Sequence, residues 1–285
     1  SKEYWSIDGL FDEKKVKFTS QLTHFDGDKL SKFDIPDQKS ADSIKDALAP
    51  LNYNVKAIDK KQVKRHPQPP FTTSTLLQDA ARKFGFSAKK TSLIAQKLYE
   101  GIALGNETAG LITYMRTDSV NLSPDAIAET RAYASNKYGD QFVPASPKYY
   151  KTKAKNAQEA HEAIRPTDVS RNPDAIKQYL DNDQLKIYGL IWKRMMASQM
   201  ESAIFDQVSV TIADESEKHQ FRATGSTLKF EGFLKVYNIS TDDGEGEDDK
   251  DRKLPALEVN QALDLKEIAT NQHFTQPPPR YTEAS

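Results

Sequence analysis

The chain has 285 residues, 37% of them apolar and 28% charged, with no cysteine and a formal net charge of −1. Lack of cysteine excludes disulfides, thiol catalysis and cysteine-ligated zinc, and no run approaches the ~20 apolar residues that a membrane-spanning helix needs. Trp, Tyr, Phe, Leu and Ile recur throughout, which excludes wholesale disorder, and the length suits two domains or one domain inserted into another.

From the start, Tyr4-Trp5-Ser6-Ile7 and Val16-Lys17-Phe18-Thr19 read as short strands. A short helix follows over Asp42–Leu48, and 53–63 is strand-like again, until His66-Pro67-Gln68-Pro69-Pro70 ends the zone, because proline continues neither ladder nor helix. The period then changes. Leu76, Leu77, Ala80, Ala81 and Phe84 recur at helical spacing up to Gly85, and Ser87 stands as an N-cap before a second helix with Leu93, Ile94 and Leu98. Ser123-Pro124-Asp125 opens a third helix reaching about Tyr138. A last long helix is expected over about 183–200, with Leu185, Tyr188, Ile191, Trp192, Met195 and Met196 facing inward. Strands return over 208–212, 221–224 and 233–237, and the acidic stretch 241–251 reads as a solvated loop.

This order, β then α then β, predicts a mixed α and β fold: a β-rich domain (1–73 and 202–285) with a mostly helical domain (74–201) inserted into it. Three serial domains is the weaker arrangement, since each β zone alone makes a very small core. Residues 74–201 carry 18 Lys and Arg against 14 Asp and Glu, and the remainder 22 against 27. The helical part is thus mildly basic, with clusters at Lys89/Lys90 and at Lys148, Lys151, Lys153 and Lys155. Such clusters alone describe an ordinary solvated face.

Two segments hold residues suited to phosphate chemistry. In 110–119 an apolar strand is expected to end at Tyr114, with Arg116 two residues on and Thr117, Asp118 and Ser119 following. On extended backbone Tyr114 and Arg116 share a face. A phenol, with pKa ~10, is a weak nucleophile at neutral pH; a guanidinium nearby lowers that pKa and offers forked donors to phosphate oxygens. Spacing alone equally allows Tyr114 to pack on its neighbour and Arg116 to pair with Asp118. In Glu159-Ala160-His161-Glu162-Ala163-Ile164-Arg165-Pro166-Thr167, one helical turn would put His161 and Arg165 on one face, able to bind phosphate and exchange a proton. An exposed helix end with paired charges fits those residues as well. A metal site does not: no second His stands four residues from His161 and no cysteine is available.

Taken together these residues resemble a known family. The run Leu111 to Ser123 resembles the active-site tyrosine motif of bacterial type IA DNA topoisomerases, and Ala160 to Thr167 resembles their histidine motif. Pro69-Pro70-Phe71-Thr72-Thr73-Ser74-Thr75-Leu76, continuing to Leu98-Tyr99-Glu100-Gly101, is similar to the entry into the tyrosine-bearing domain. His273 to Pro278 with Arg280 to Ala284 resembles the passage into the next domain, and Met115 stands where the topoisomerase III branch more often has proline.

The resemblance implies a toroidal core whose β-rich arch domain carries the tyrosine domain. Tyr114 is implied as the nucleophile, Arg116 as the group that positions the scissile phosphate, and His161 as a catalytic contact to it. Arg116, Thr117, Asp118, Ser119, His161 and Arg165 are implied as DNA-binding residues. Asp118 and Ser119 are expected to hold the loop more than to do chemistry. The reaction implied is ATP-independent: one strand is cleaved through a 5′-phosphotyrosyl intermediate, the other passes, and religation relaxes negative supercoils. Partners are then single-stranded and negatively supercoiled DNA, with no membrane, in a monomer of the bacterial cytoplasm associated with the nucleoid. Mg²⁺ is implied for the full enzyme, held by an N-terminal Toprim domain, and no metal ligand is expected in this chain. The start at Ser1 without Met and the stop after the Pro-rich run read as the ends of an excised piece, lacking the Toprim domain and the zinc-ribbon region and inactive alone.

Overall fold

The computed structural model describes residues 1–151, 161–237 and 251–276, with backbone only for 251 and 252. Its elements, in order, are β1 (Glu3–Glu13), β2 (Val16–Phe25), β3 (Asp28–Lys29), α1 (Gln38–Leu48), β4 (Tyr53–Arg65), α2 (Thr73–Phe84), α3 (Ala88–Glu100), β5 (Ile102–Ala103), β6 (Thr108–Ala109), α4 (Pro124–Tyr138), α5 (Pro173–Ile176), α6 (Asn182–Ser198), β7 (Ala203–Asp214), β8 (Gln220–Phe230), β9 (Asp251–Arg252) and β10 (Ala262–Phe274). The fold is mixed α and β, and no described helix is long and apolar enough to cross a membrane. Contacts divide the chain into two compact units.

One unit comprises, among described residues, 1–63, 205–229 and 251–276. Its sheet runs β3-β2-β1-β10-β4-β7-β8-β9, and a further pairing of β2 with β8 closes a six-stranded ring, which leaves no free edge among those six. Alternation along β1 and β2 sends Ile7, Phe11, Phe18 and Leu22 into the core, where Phe11 meets Tyr53 and Phe221 edge-on at 5.5 and 5.4 Å. The Tyr53 hydroxyl donates to Leu48 O (2.8 Å), tying β4 to the end of α1. Asp37 caps α1, accepting from Ser40 N, so that helix starts four residues before the expected Asp42. Strand β10, absent from the sequence reading, pairs with β1 from Glu3↔Phe274 to Asp12↔Asp264.

The other unit comprises 64–151, 161–204 and 230–237. Segment 64–73, expected with the β-rich domain, packs here: His66 bonds Ser202 Oγ (2.8 Å) and Phe71 bridges Ile164. Helix α6 forms the centre, burying Ile187, Tyr188, Ile191, Trp192, Met195 and Met196 and packing on α2, α3, α4 and α5. The expected caps are in place: Gly85 ends α2 in the left-handed region, Ser87 caps α3 and Ser123 caps α4 with Pro124 in its first turn. At position 194 a buried arginine donates from Nε to Pro69 O (2.6 Å) and from Nη1 to the Tyr237 hydroxyl (2.9 Å), and Tyr237 in turn donates to Asp79. Burial pushes the Tyr237 phenol pKa up, so it stays a donor.

Three expectations are corrected. Residues 233–237 are not a strand: 232–235 form a 3₁₀ turn, because Gly232 takes φ +51° and Phe233 N–H donates to Glu201 O (2.8 Å). Residues 111–114 form no regular strand, only an isolated bridge of Ile112 with Pro166. Residues 161–166 are not helical, since Ile164 and Pro166 are engaged in bridges to Phe71 and Ile112 on extended backbone. Most of the expected acidic loop, Lys153, Lys155, Glu159, Ala160 and the run from Pro277 lie outside the described residues.

A Cβ at Gly232 would lie 2.5–2.6 Å from the Glu201 and Ser202 backbone, at a φ that L residues rarely adopt. Gly232→Ala is therefore expected to destabilise the helical unit by ~2 kcal/mol or more, read as a lowered urea midpoint for the α-helical signal; an unchanged midpoint contradicts this packing.

Candidate functional site

Three segments distant in sequence meet in the helical unit through backbone hydrogen bonds. Ile164 N–H donates to Phe71 O (2.8 Å), Thr113 N–H to Arg165 O (2.9 Å), Thr167 N–H to Leu111 O (3.0 Å) and Thr73 N–H to Thr117 O (2.8 Å). Two threonine hydroxyls close the remaining gaps. Thr113 Oγ1 donates to Ala163 O (2.7 Å) and accepts from Arg165 N–H (3.0 Å). Thr73 Oγ1 donates to Met115 O (2.7 Å) and accepts from Thr117 N–H (2.9 Å), on the chain to either side of Arg116. Gly110 begins the loop because a Cβ there would lie 2.6 Å from Tyr99 O.

Although the loop is not a strand, burial alternates along it. Met115, Thr117 and Ser119 are buried, while Tyr114 (40% exposed), Arg116 and Asp118 face outward. His161 joins them from the neighbouring segment, its ring centroid 6.2 Å from that of Tyr114. An open cleft of about 560 Å³ is lined by Arg116, Thr117, Asp118 and His161 together with Thr72, Thr73 and Ser74 at the N-terminus of α2. Tyr114 is not part of that wall; it reaches the cleft through His161 and is flanked on its other side by Tyr99, edge-on at 5.4 Å.

Among the described residues, the Tyr114 hydroxyl, the Arg116 guanidinium, the Asp118 carboxylate and the His161 ring nitrogens have no hydrogen-bond or ion-pair partner. Their neighbours are committed. Thr117 Oγ1 accepts from Ser119 N–H, and Ser119 Oγ from Asn121 N–H. Arg165 does not join His161: its guanidinium forks onto Glu162 (2.7 and 2.9 Å) and donates to Pro166 O, while Glu162 also accepts from Ser123 N–H. The buried tyrosines are committed too. Tyr53, Tyr150 and Tyr188 donate to backbone carbonyls, and burial raises the pKa of each phenol.

No three His, Asp or Glu side chains among the described residues lie close enough to hold a metal ion. What the cleft offers instead is a fixed cation, an imidazole and a helix N-terminus, a combination suited to one phosphate group. Thr73 is the residue that sequence reasoning left without a role; its hydroxyl bonds residues more than forty positions away, which no local pattern signals.

The whole chain, residues 1–285, matches the protein family described as DNA topoisomerase. It is 53% identical to DNA topoisomerase 1 of Rickettsia felis, covering 100% of this chain and 37% of that protein. It is 48% identical to DNA topoisomerase 1 of Xylella fastidiosa (strain 9a5c), covering 36% of that protein. Among solved structures, full-length topoisomerase I from Thermotoga maritima superposes with a TM-score of 0.78 at 31% identity, over 99% of this chain and 42% of that one. The chain belongs to the bacterial type IA DNA topoisomerase family. It spans little more than a third of the length of these curated relatives.

The hydrogen bonds of Thr73 predict a specific weakness. Thr73→Val should cost about 1–3 kcal/mol of stability and remove hydrogen-exchange protection at the Thr117 amide, whereas Thr73→Ser should keep both; equal protection in the valine variant contradicts the pinning role.

Proposed function

We propose that this chain is the tyrosine-bearing part of an ATP-independent DNA topoisomerase I, and that Tyr114, Arg116 and His161 act directly on the scissile phosphate. The observation that carries this reading is the grouping of these exposed, unpartnered groups while every nearby polar group is committed to the backbone. In the reaction, Tyr114 Oη attacks phosphorus and loses its proton, the P–O3′ bond breaks, and the 3′ oxygen leaves as a hydroxyl after gaining a proton. A 5′-phosphotyrosyl bond conserves the phosphodiester energy, so religation needs no nucleotide triphosphate. Arg116 and the α2 N-terminus neutralise the charge that grows on the phosphate oxygens. His161 contacts the phosphate beside Tyr114. Asp118 and Thr117 shape the cleft, Ser119 holds the loop, and Arg165 supports His161 from behind through Glu162 rather than by touching DNA.

In the wider reading, the six-stranded ring is the arch domain and the helical unit the inserted tyrosine domain of a toroidal monomer. Its substrate is negatively supercoiled DNA opened to single strands, in a bacterial cytoplasm. Magnesium belongs to the full enzyme. The described residues do not fit that ion, and no step above is routed through it.

The test complements this chain with the remaining domains of the enzyme and supplies end-labelled single-stranded DNA. Tyr114→Phe should abolish the covalent adduct, and Arg116→Ala should slow its formation on the order of 10²-fold or more with the fold intact; an adduct that survives Tyr114→Phe sinks the assignment. The chain by itself is expected not to relax a supercoiled plasmid in Mg²⁺, and relaxation would refute that expectation.

A further inference from the structure

A second cavity, of about 240 Å³, lies between α2 and α3 and shares Thr73 and Arg116 with the open cleft. Its character differs. Leu76 and Ala95 give it apolar wall, while Thr91 and Gln96 contribute polar groups. It is smaller than the ~300–1,000 Å³ of sites for drug-sized ligands, a size for one planar ring system. Thr91 is 0% exposed and its hydroxyl has no hydrogen-bond partner among the described residues. A buried hydroxyl without a partner is unfavourable and rare, and a helical threonine ordinarily bonds the carbonyl four residues back. Gln96 Nε2 donates to Glu100 (2.7 Å), which leaves its carbonyl oxygen free to accept.

We propose that this cavity takes the base of a nucleotide whose phosphate sits in the open cleft, with Thr91 and Gln96 reading the base edge. The inference rests on the reading of Arg116 as the phosphate clamp. One nucleotide then bridges the two cavities across Arg116, whose guanidinium plane can also stack on a base. Threonine and glutamine side chains are ordinary base readers. The Gln96 carbonyl oxygen accepts from an exocyclic amine, so cytosine, adenine and guanine are favoured over thymine, which has none.

The experiment measures binding of fluorescein-labelled homo-octamers of dC, dA and dT, and of an abasic octamer, to the full chain by anisotropy. Homopolymers remove any dependence on register. The expected result is binding of dC or dA octamers about fivefold tighter than dT or abasic octamers. Thr91→Val, which replaces an unpartnered hydroxyl by a methyl of the same shape, should erase that difference without lowering Tm. Ala95→Leu, which fills the cavity, should bring every octamer to the abasic level. Arg116→Ala should weaken all four octamers alike. If Arg116→Ala weakens binding but base identity never matters, the base cavity is wrong while the phosphate reading stands. If Arg116→Ala changes nothing, the phosphate reading itself fails and the cavity proposal with it. A Thr91→Val protein that is more stable and keeps the base preference assigns Thr91 a purely structural place and overturns its reading role, and the absence of any base-dependent binding overturns the proposal outright.

Discussion

The candidate site depends on a small set of hydrogen bonds that belong to no regular element. Segments 71–73, 111–117 and 163–167 are joined by main-chain bonds and by the hydroxyls of Thr73 and Thr113, which supply the donors and acceptors that a sheet would otherwise provide. Buried backbone polar groups must be paired, so this arrangement leaves little freedom for the loop between Gly110 and Ser119. Its consequence is the alternation of burial, which turns Met115 and Thr117 inward and presents Tyr114, Arg116 and Asp118 together. The side chains suited to chemistry stay unpartnered because threonine and backbone, rather than they, hold the loop. A rigid frame that keeps reactive groups unpaired is what electrostatic preorganisation requires.

The frame in turn is anchored by helices. Arg194 on α6 donates to Pro69 O and lies over the Phe71 ring at 4.5 Å, fixing the segment that leads into α2. Tyr237 and Asp79 complete the buried network around its guanidinium. A buried arginine with one partner missing would be costly, so the network also commits α2, α6 and the turn after Gly232 to one arrangement. The N-terminus of α2 thereby arrives at the cleft beside Arg116, already capped by Thr72 and Thr75.

Much of this was legible in the sequence, and the boundary between legible and illegible is physical. Helices α2, α3 and α4 follow from local chemistry: Gly85, Ser87 and Ser123-Pro124 act on their own turns, and the apolar periods lie beside them. The ordering of chemistry-bearing residues was legible too, through the resemblance carried by 111–123 and 160–167. The conformation of those segments was not, because an apolar run such as Leu111-Ile112 suits a strand, yet its partner is a single bridge to Pro166. Arg165 was paired with His161 on the assumption of a helical turn. Extended backbone instead sends it to Glu162. Strand β10 escaped notice because its inward positions, Leu263 and Ile268, are separated by charged and polar residues, and its place is set by pairing with β1 at the far end of the chain.

The account's central claim is that Tyr114, among the several exposed tyrosines, carries the covalent bond to DNA. The direct measurement digests a trapped protein–DNA complex of the complete enzyme with protease and nuclease and locates the nucleotide on a peptide by mass spectrometry. The account predicts a nucleotide joined through its 5′ phosphate to Tyr114. A nucleotide on the adjacent Tyr99, or on Tyr149 or Tyr179, which are also exposed, would contradict it.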